Sequence, residues 1–139
     1  MPVVPRILLV VSVALVAGGS ARAADTKPAC DAELGKQVFA VCSTCHALQP
    51  GEPVREGPSL AGFFGQRAGT SDKAFKYSPA LLGTEWIWDA ATLDRFLVNP
   101  RRALRGTTMT FIGLKSADER AAVACFLQQQ SANVAGKQQ

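Results

Sequence analysis

The sequence predicts an all-α domain of four to five short helices joined by long loops. Capping residues (Asp31, Ser78, Asp89, Ser116) precede apolar residues spaced three and four apart, as helix starts require. No convincing pair of alternating strands accompanies them. The third observation is Cys42-Ser43-Thr44-Cys45-His46, a C-x-x-C-H pentapeptide. That spacing is the signature of haem attached through two thioethers. Loops this long normally count against a compact domain, but a central haem supplies the apolar core they lack.

The first 23 residues stand apart from the domain. Arg6 gives a positive start, residues 7–17 form an almost unbroken apolar run, and Ala21-Arg22-Ala23 offers a cleavage site. The run is about half the length of a bilayer-spanning helix. A cleaved signal peptide over residues 1–23 is therefore expected, with export to the periplasm; a retained anchor is the alternative.

Asp31 caps a helix running to about the haem cysteines, with Leu34 and Val38, and Gly35 and Phe39, on shared faces. Glycine costs a helix interior about 1 kcal/mol relative to alanine, and close approach of another helix would explain it at Gly35. Residues 49–76 are rich in Gly, Pro and polar residues and read as loops, with only Phe63-Phe64 to bury. Ser78-Pro79 opens a short helix through Leu82, closed by Gly83. Asp89 caps a third helix carrying Leu93, Phe96 and Leu97, stopped by Asn99-Pro100. Residues 101–115 read as loop. Ser116-x-x-Glu119 is a capping box for a last helix with Val123, Phe126 and Leu127 on one face. The domain is expected to span residues 24–130, with residues 131–139 a frayed, flexible tail.

At 139 residues the chain suits one small domain. Its 15 basic residues, less Arg6 and Arg22, leave 13 against 11 acids, a formal charge of +2 that two haem propionates would cancel. Bulk nucleic-acid binding is not indicated, and local charge matters more than the total. Four cysteines are present, and haem takes Cys42 and Cys45. Cys30 and Cys125 remain, which in an oxidising compartment should be bound or paired.

The chemistry needs these residue types in this order. Each thiol adds to one vinyl group, and His46 then reaches the iron from the proximal side. A zinc half-site would require two further ligands, yet no second cysteine pair or second histidine exists. A thioredoxin-like pair would sit in an α/β pattern, which is lacking. Beyond the signal segment the chain holds one histidine, His46, and one methionine, Met109. Bis-histidine ligation is thereby excluded, and Met/His ligation, which raises the potential, is expected. As a core filler instead, Met109 would leave the iron open to gases or peroxide.

The chain resembles the class I c-type cytochromes of the mitochondrial cytochrome c and bacterial cytochrome c2 kind over residues 31–128. The likeness rests on Gly35 and Phe39 before Cys42-x-x-Cys45-His46, on Gly57-Pro58-Ser59-Leu60, Tyr77-Ser78, Trp88 with Thr92-Leu93, and Asn99-Pro100. It continues through Gly106-Thr107-x-Met109-x-Phe111-x-Gly113 and Glu119-Arg120 ahead of Phe126-Leu127. The resemblance implies the cytochrome c fold around one covalent haem c, attached at Cys42 and Cys45 and ligated by His46 and Met109. It implies that the Pro58 carbonyl accepts the His46 ring proton, that Tyr77 and Trp88 hydrogen-bond a buried propionate, and that Thr107 helps close the distal side. Gly35 would lie where the first and last helices cross, beside Phe39 and Phe126. Plain packing is the alternative role for Tyr77 and Trp88. The chain departs from the pattern at Gln66 (commonly arginine, here with Arg67 beside it), Phe96 (tyrosine), Leu81 (asparagine) and Arg105 (proline).

By the same resemblance Cys125 falls near Cys30, and a disulfide is expected there. Unpaired, Cys125 would serve as a small buried hydrophobe with Cys30 free. Arg101, Arg102, Arg105 and Lys115 flank the Met109 segment, with no acid between Asp94 and Asp118. This basic rim would dock acidic redox partner proteins; a solvated loop is the bland alternative. The expected function is that of a soluble, monomeric periplasmic carrier of single electrons between respiratory or dehydrogenase partners, not an enzyme. No membrane span remains after cleavage. A subunit held permanently by a dehydrogenase or oxidase is the second reading, and a peroxidase or gas-binding protein the third.

Overall fold

The caps read from the sequence carry their hydrogen bonds. In the computed structural model, which describes Met1 and residues 30–137, the Asp31 carboxylate accepts the Leu34 amide at 2.9 Å and starts α1 (Ala32–Cys42). Ser78 Oγ accepts the Leu81 amide and starts α2 (Pro79–Leu82), which Gly83 closes. Asp89 Oδ1 accepts the Thr92 amide at 2.7 Å and starts α3 (Ala90–Val98). That bond holds the Asp89 carboxyl below the usual carboxylate range, because it favours the charged form. Ser116 Oγ accepts the Glu119 amide at the head of α5 (Ala117–Gly136). Apart from Met1, the expected signal segment lies outside the described residues.

Two expectations are corrected. Residues 101–115 are not all loop, because α4 (Pro100–Ala103) starts directly where α3 stops. Pro100 fixes φ for a first helical turn while Asn99 Oδ1 caps the Arg102 amide at 3.0 Å, so the residue pair that ends one helix begins another. Nor are residues 131–136 a frayed tail, since α5 continues to Gly136 with Ser131 and Val134 buried. Val134 extends the apolar spacing from Phe126 and Leu127, and Ser131 Oγ accepts the Phe64 amide of the long loop at 3.2 Å. That contact comes from chain 67 residues away in sequence.

Two helix contacts organise the domain: α1 crosses α5, and α3 packs on α5. At the first crossing a Cβ on Gly35 would lie 2.7 Å from both the Ala122 carbonyl carbon and Phe126 Cβ, and nearer still to the Ala122 oxygen. The glycine is therefore required by helix approach, as its place in the sequence suggests. Phe39 and Phe126 meet beside it, ring centroids 5.5 Å apart. The core continues through Phe63, Trp88, Leu93, Phe96, Leu97, Val123 and Leu127.

The long loop is tied down by backbone bonds and has no strand among the described residues. Gly65 N donates to Trp88 O (2.7 Å), Trp88 N to Gln66 O (2.9 Å) and Ala68 N to Trp86 O (2.8 Å), around an isolated bridge between Arg67 and Ile87. These bonds hold Phe63, Trp86, Trp88 and Phe96 in one aromatic cluster with centroid separations of 5.3 to 6.3 Å. No helix of the described residues is long and apolar enough to cross a membrane.

Candidate haem-attachment site

The end of α1 builds the attachment site. Cys45 N and His46 N both donate to the Cys42 carbonyl, at 3.1 and 3.0 Å, so the chain makes a single tight turn that carries both cysteines and the histidine. Cys42 and Cys45 are free and half-buried. Burial pushes the Cys42 thiol up to about 11, with the neighbouring Cys45 adding to the rise against an opposing backbone hydrogen bond.

His46 is fixed on one side. Its Nδ1 lies 2.8 Å from the Pro58 carbonyl oxygen. A carbonyl can only accept, so Nδ1 carries the proton and the Nε2 lone pair is free for a metal. Burial lowers the pKa of the ring, which the Pro58 bond partly opposes, so the neutral ligand form is favoured. Sequence reasoning placed Pro58 correctly but gave Gly57 no task. A Cβ on Gly57 would lie 2.7 Å from His46 Nδ1 and 2.9 Å from Nε2, so the imidazole packs directly on its backbone. The Gly57 amide in turn donates to Cys45 O at 2.8 Å. The adjacent Gly57-Pro58 pair was the available signal.

Met109 sits half-buried in the loop between α4 and α5, and both it and Cys42 pack against the central core cluster. Its amide donates to Thr107 Oγ1 at 3.3 Å. Trp88 belongs to that core cluster, and Tyr77 lies in the loop just before the Ser78 cap of α2. The Tyr77 hydroxyl accepts the Asp72 amide at 3.0 Å and pairs with the Ser71 hydroxyl at 3.3 Å. Asp72 was missed: its carboxylate also accepts Ser59 N and Ala74 N, joining the loop of Tyr77 to the segment after Pro58. Trp88 is buried and lies 5.3 Å from Phe96. Gln66 is exposed, and the Arg67 guanidinium donates to Thr84 O at 2.9 Å. Trp86 was also missed; Arg95 stacks over it at 5.0 Å. Arg101, Arg102, Arg105 and Lys115 are all exposed.

Two free thiols at C-x-x-C spacing and an adjacent imidazole with one nitrogen anchored fit a covalent haem. The fold and the site together define a helical domain of the c-type cytochrome class. The cytochrome c family model matches residues 32–131, and the chain belongs to the cytochrome c family. It is 38% identical over 117 residues to cytochrome c2 of Rhodomicrobium vannielii, covering 84% of this chain and 93% of the relative. Cytochrome c of Guizotia abyssinica is 35% identical over 106 residues, 76% and 95% of the two chains. Among solved structures, cytochrome cH from Methylobacterium extorquens superposes with a TM-score of 0.67 at 31% identity, covering 71% of this chain and 98% of that one. The cofactor is one covalent haem c, and the family function is electron transfer.

Proposed function

We infer that the chain is a soluble periplasmic carrier of single electrons, with Cys42 and Cys45 forming the thioethers and His46 and Met109 the axial ligands. The anchored His46 imidazole carries this reading: Pro58 and Gly57 leave it one orientation, with Nε2 as the free donor. When bound, the haem supplies reversible Fe(III)/Fe(II) exchange. The protein's own part is to hold ligand geometry constant and exclude water, which lowers the reorganisation needed for each transfer. Phe63, Trp86, Trp88 and Phe96 form one aromatic cluster in the core, which Met109 and Cys42 also pack against. With Leu81 and Phe96 apolar where the family commonly has polar groups, fewer buried hydrogen bonds would surround the haem than in the family pattern. Tyr77 and Trp88 are assigned to a propionate.

Export rests on the leader-like character of residues 1–23. In that compartment Cys30 and Cys125 form a disulfide, supported by a Cα–Cα distance of 5.5 Å, inside the range a disulfide bridges. The rim of Arg101, Arg102, Arg105 and Lys115 meets acidic redox partners, and the carrier is monomeric and not an enzyme. A permanently held electron-transfer subunit is the second reading, which a large exposed apolar patch would favour.

The deciding experiment is the spectrum of the purified holoprotein. The oxidised form should show the weak near-infrared band of a methionine–iron bond, lost in Met109→Ala. A band that survives the substitution, or rapid carbon monoxide binding by the native reduced protein, would overturn the ligand assignment.

A further inference from the structure

We propose that Arg120 is a positioning residue that latches the Met109 loop closed, with Asp94 orienting it. The proposal rests on Met109 being the sixth ligand. Arg120 projects from α5 and its side chain is only 11% exposed. Its Nε donates to Asp94 Oδ1 on α3 at 2.7 Å. Its Nη1 donates to the carbonyls of Leu114 and Lys115, both at 2.9 Å. One guanidinium thus joins two helices to the C-terminal end of the loop that carries the methionine.

The rest of the loop explains why that junction matters. At its N-terminal end Leu104 N donates to Pro100 O at 2.9 Å, and Thr107 N to Leu104 O at 3.2 Å. Met109's own amide bond runs to Thr107 Oγ1, which is local and ties the loop to no helix. At the far end Leu114 N donates to Leu97 O at 2.8 Å. Gly113, at φ +108°, lies so close to the end of α3 that a Cβ would stand 2.8 Å from the Val98 carbonyl carbon. The C-terminal half of the loop is therefore held by Leu97 and by Arg120. Met109 is five residues from Leu114, and a released segment of that length can move its thioether by several ångströms, each extended residue spanning about 3.3 to 3.6 Å.

The residue type is specific to the task. Arginine's planar fork reaches a carboxylate with one nitrogen and two carbonyls with another. A lysine ammonium offers one point of charge and cannot span both. Asp94 sets the orientation of the fork and keeps it from turning to solvent; its own side chain is 48% exposed, so its contribution is the geometry of a charge-assisted bond more than a buried ion pair.

Imidazole reads the latch directly, because it binds ferric iron only when the methionine has left. In the ferric holoprotein, Arg120→Lys should bind imidazole about tenfold more tightly than native, the scale of a lost hydrogen bond to a charged group. Asp94→Asn should shift affinity in the same direction by less. In both variants the near-infrared band should vanish at lower urea than the far-ultraviolet helix signal, while Lys36→Gln, at an exposed position of α1, behaves as native. Should Arg120→Lys fail to fold, Asp94→Asn decides alone. Imidazole affinities within about twofold of native, or simultaneous loss of band and helix, would overturn the latch. A native protein with no near-infrared band would overturn the Met109 reading, and the latch with it.

Discussion

Replacing Gly35 with alanine tests the helix crossing on which the rest of the domain is assembled. Propensity alone would favour the change by about 1 kcal/mol, since alanine is the better helix former. The structure opposes it. The new methyl would stand 2.7 Å from the Ala122 carbonyl carbon and from Phe126 Cβ, where ordinary carbon contacts are about 3.5 to 4.0 Å. Neither atom can rotate away, because one is backbone and the other is fixed to it. The helices must separate, which also loosens the Phe39–Phe126 contact. Overpacking of this kind costs about 1 to 3 kcal/mol, and the upper end applies where no rotamer relieves the clash. The net expectation is a loss of about 2 kcal/mol, or roughly 10 °C in Tm for a domain of this size. Urea unfolding followed by far-ultraviolet circular dichroism should show a lower midpoint with an unchanged slope. Gly136→Ala is the control: nothing lies within 4 Å of its Cβ position, and it should be neutral or mildly stabilising. A Gly35→Ala protein as stable as native would mean that α1 and α5 do not approach as described.

Three further outcomes are expected. Gly57→Ala should displace the His46 ring and weaken its iron bond, seen as loss of low-spin haem absorption at a milder pH or urea concentration; an unaltered spectrum and midpoint would refute the packing argument. If Cys30 and Cys125 are joined as proposed, the mature protein should gain two daltons on reduction and show no alkylatable thiol beforehand; two thiols labelled without reductant would mean they are not. Charge reversal at Arg101 and Arg102 should slow association with an acidic redox partner and flatten its salt dependence while leaving the potential nearly unchanged; rates indifferent to both would leave the rim a solvated loop.

Much of the site was legible because its constraints are local. A pentapeptide fixes two thiols and an imidazole within one turn, and the caps at Asp31, Ser78, Asp89 and Ser116 each act over three residues. Gly35 was readable as a puzzle, since a costly residue in a helix interior implies a neighbour. The sequence could not name that neighbour as Ala122. Likewise it offered Gly57 and Arg120 as motif letters without tasks. Their tasks are contacts with His46, Asp94, Leu114 and Lys115, and those depend on how the loops close.

The sequence by itself determined the helical class, the starts of every helix but α4, the candidate attachment triplet and, by inventory, the pair of axial candidates. Tertiary structure alone decided that α5 runs on to Gly136. Within it Ser131 accepts the Phe64 amide and Val134 lies against Gly62, both more than 60 residues away. It also decided that the Arg120 guanidinium meets Asp94 and the Leu114 and Lys115 carbonyls. The physical reason is common to both. Capping and covalent attachment act over three or four residues and leave a pattern in the chain, whereas packing and long-range hydrogen bonds act between segments whose meeting only the folded backbone specifies.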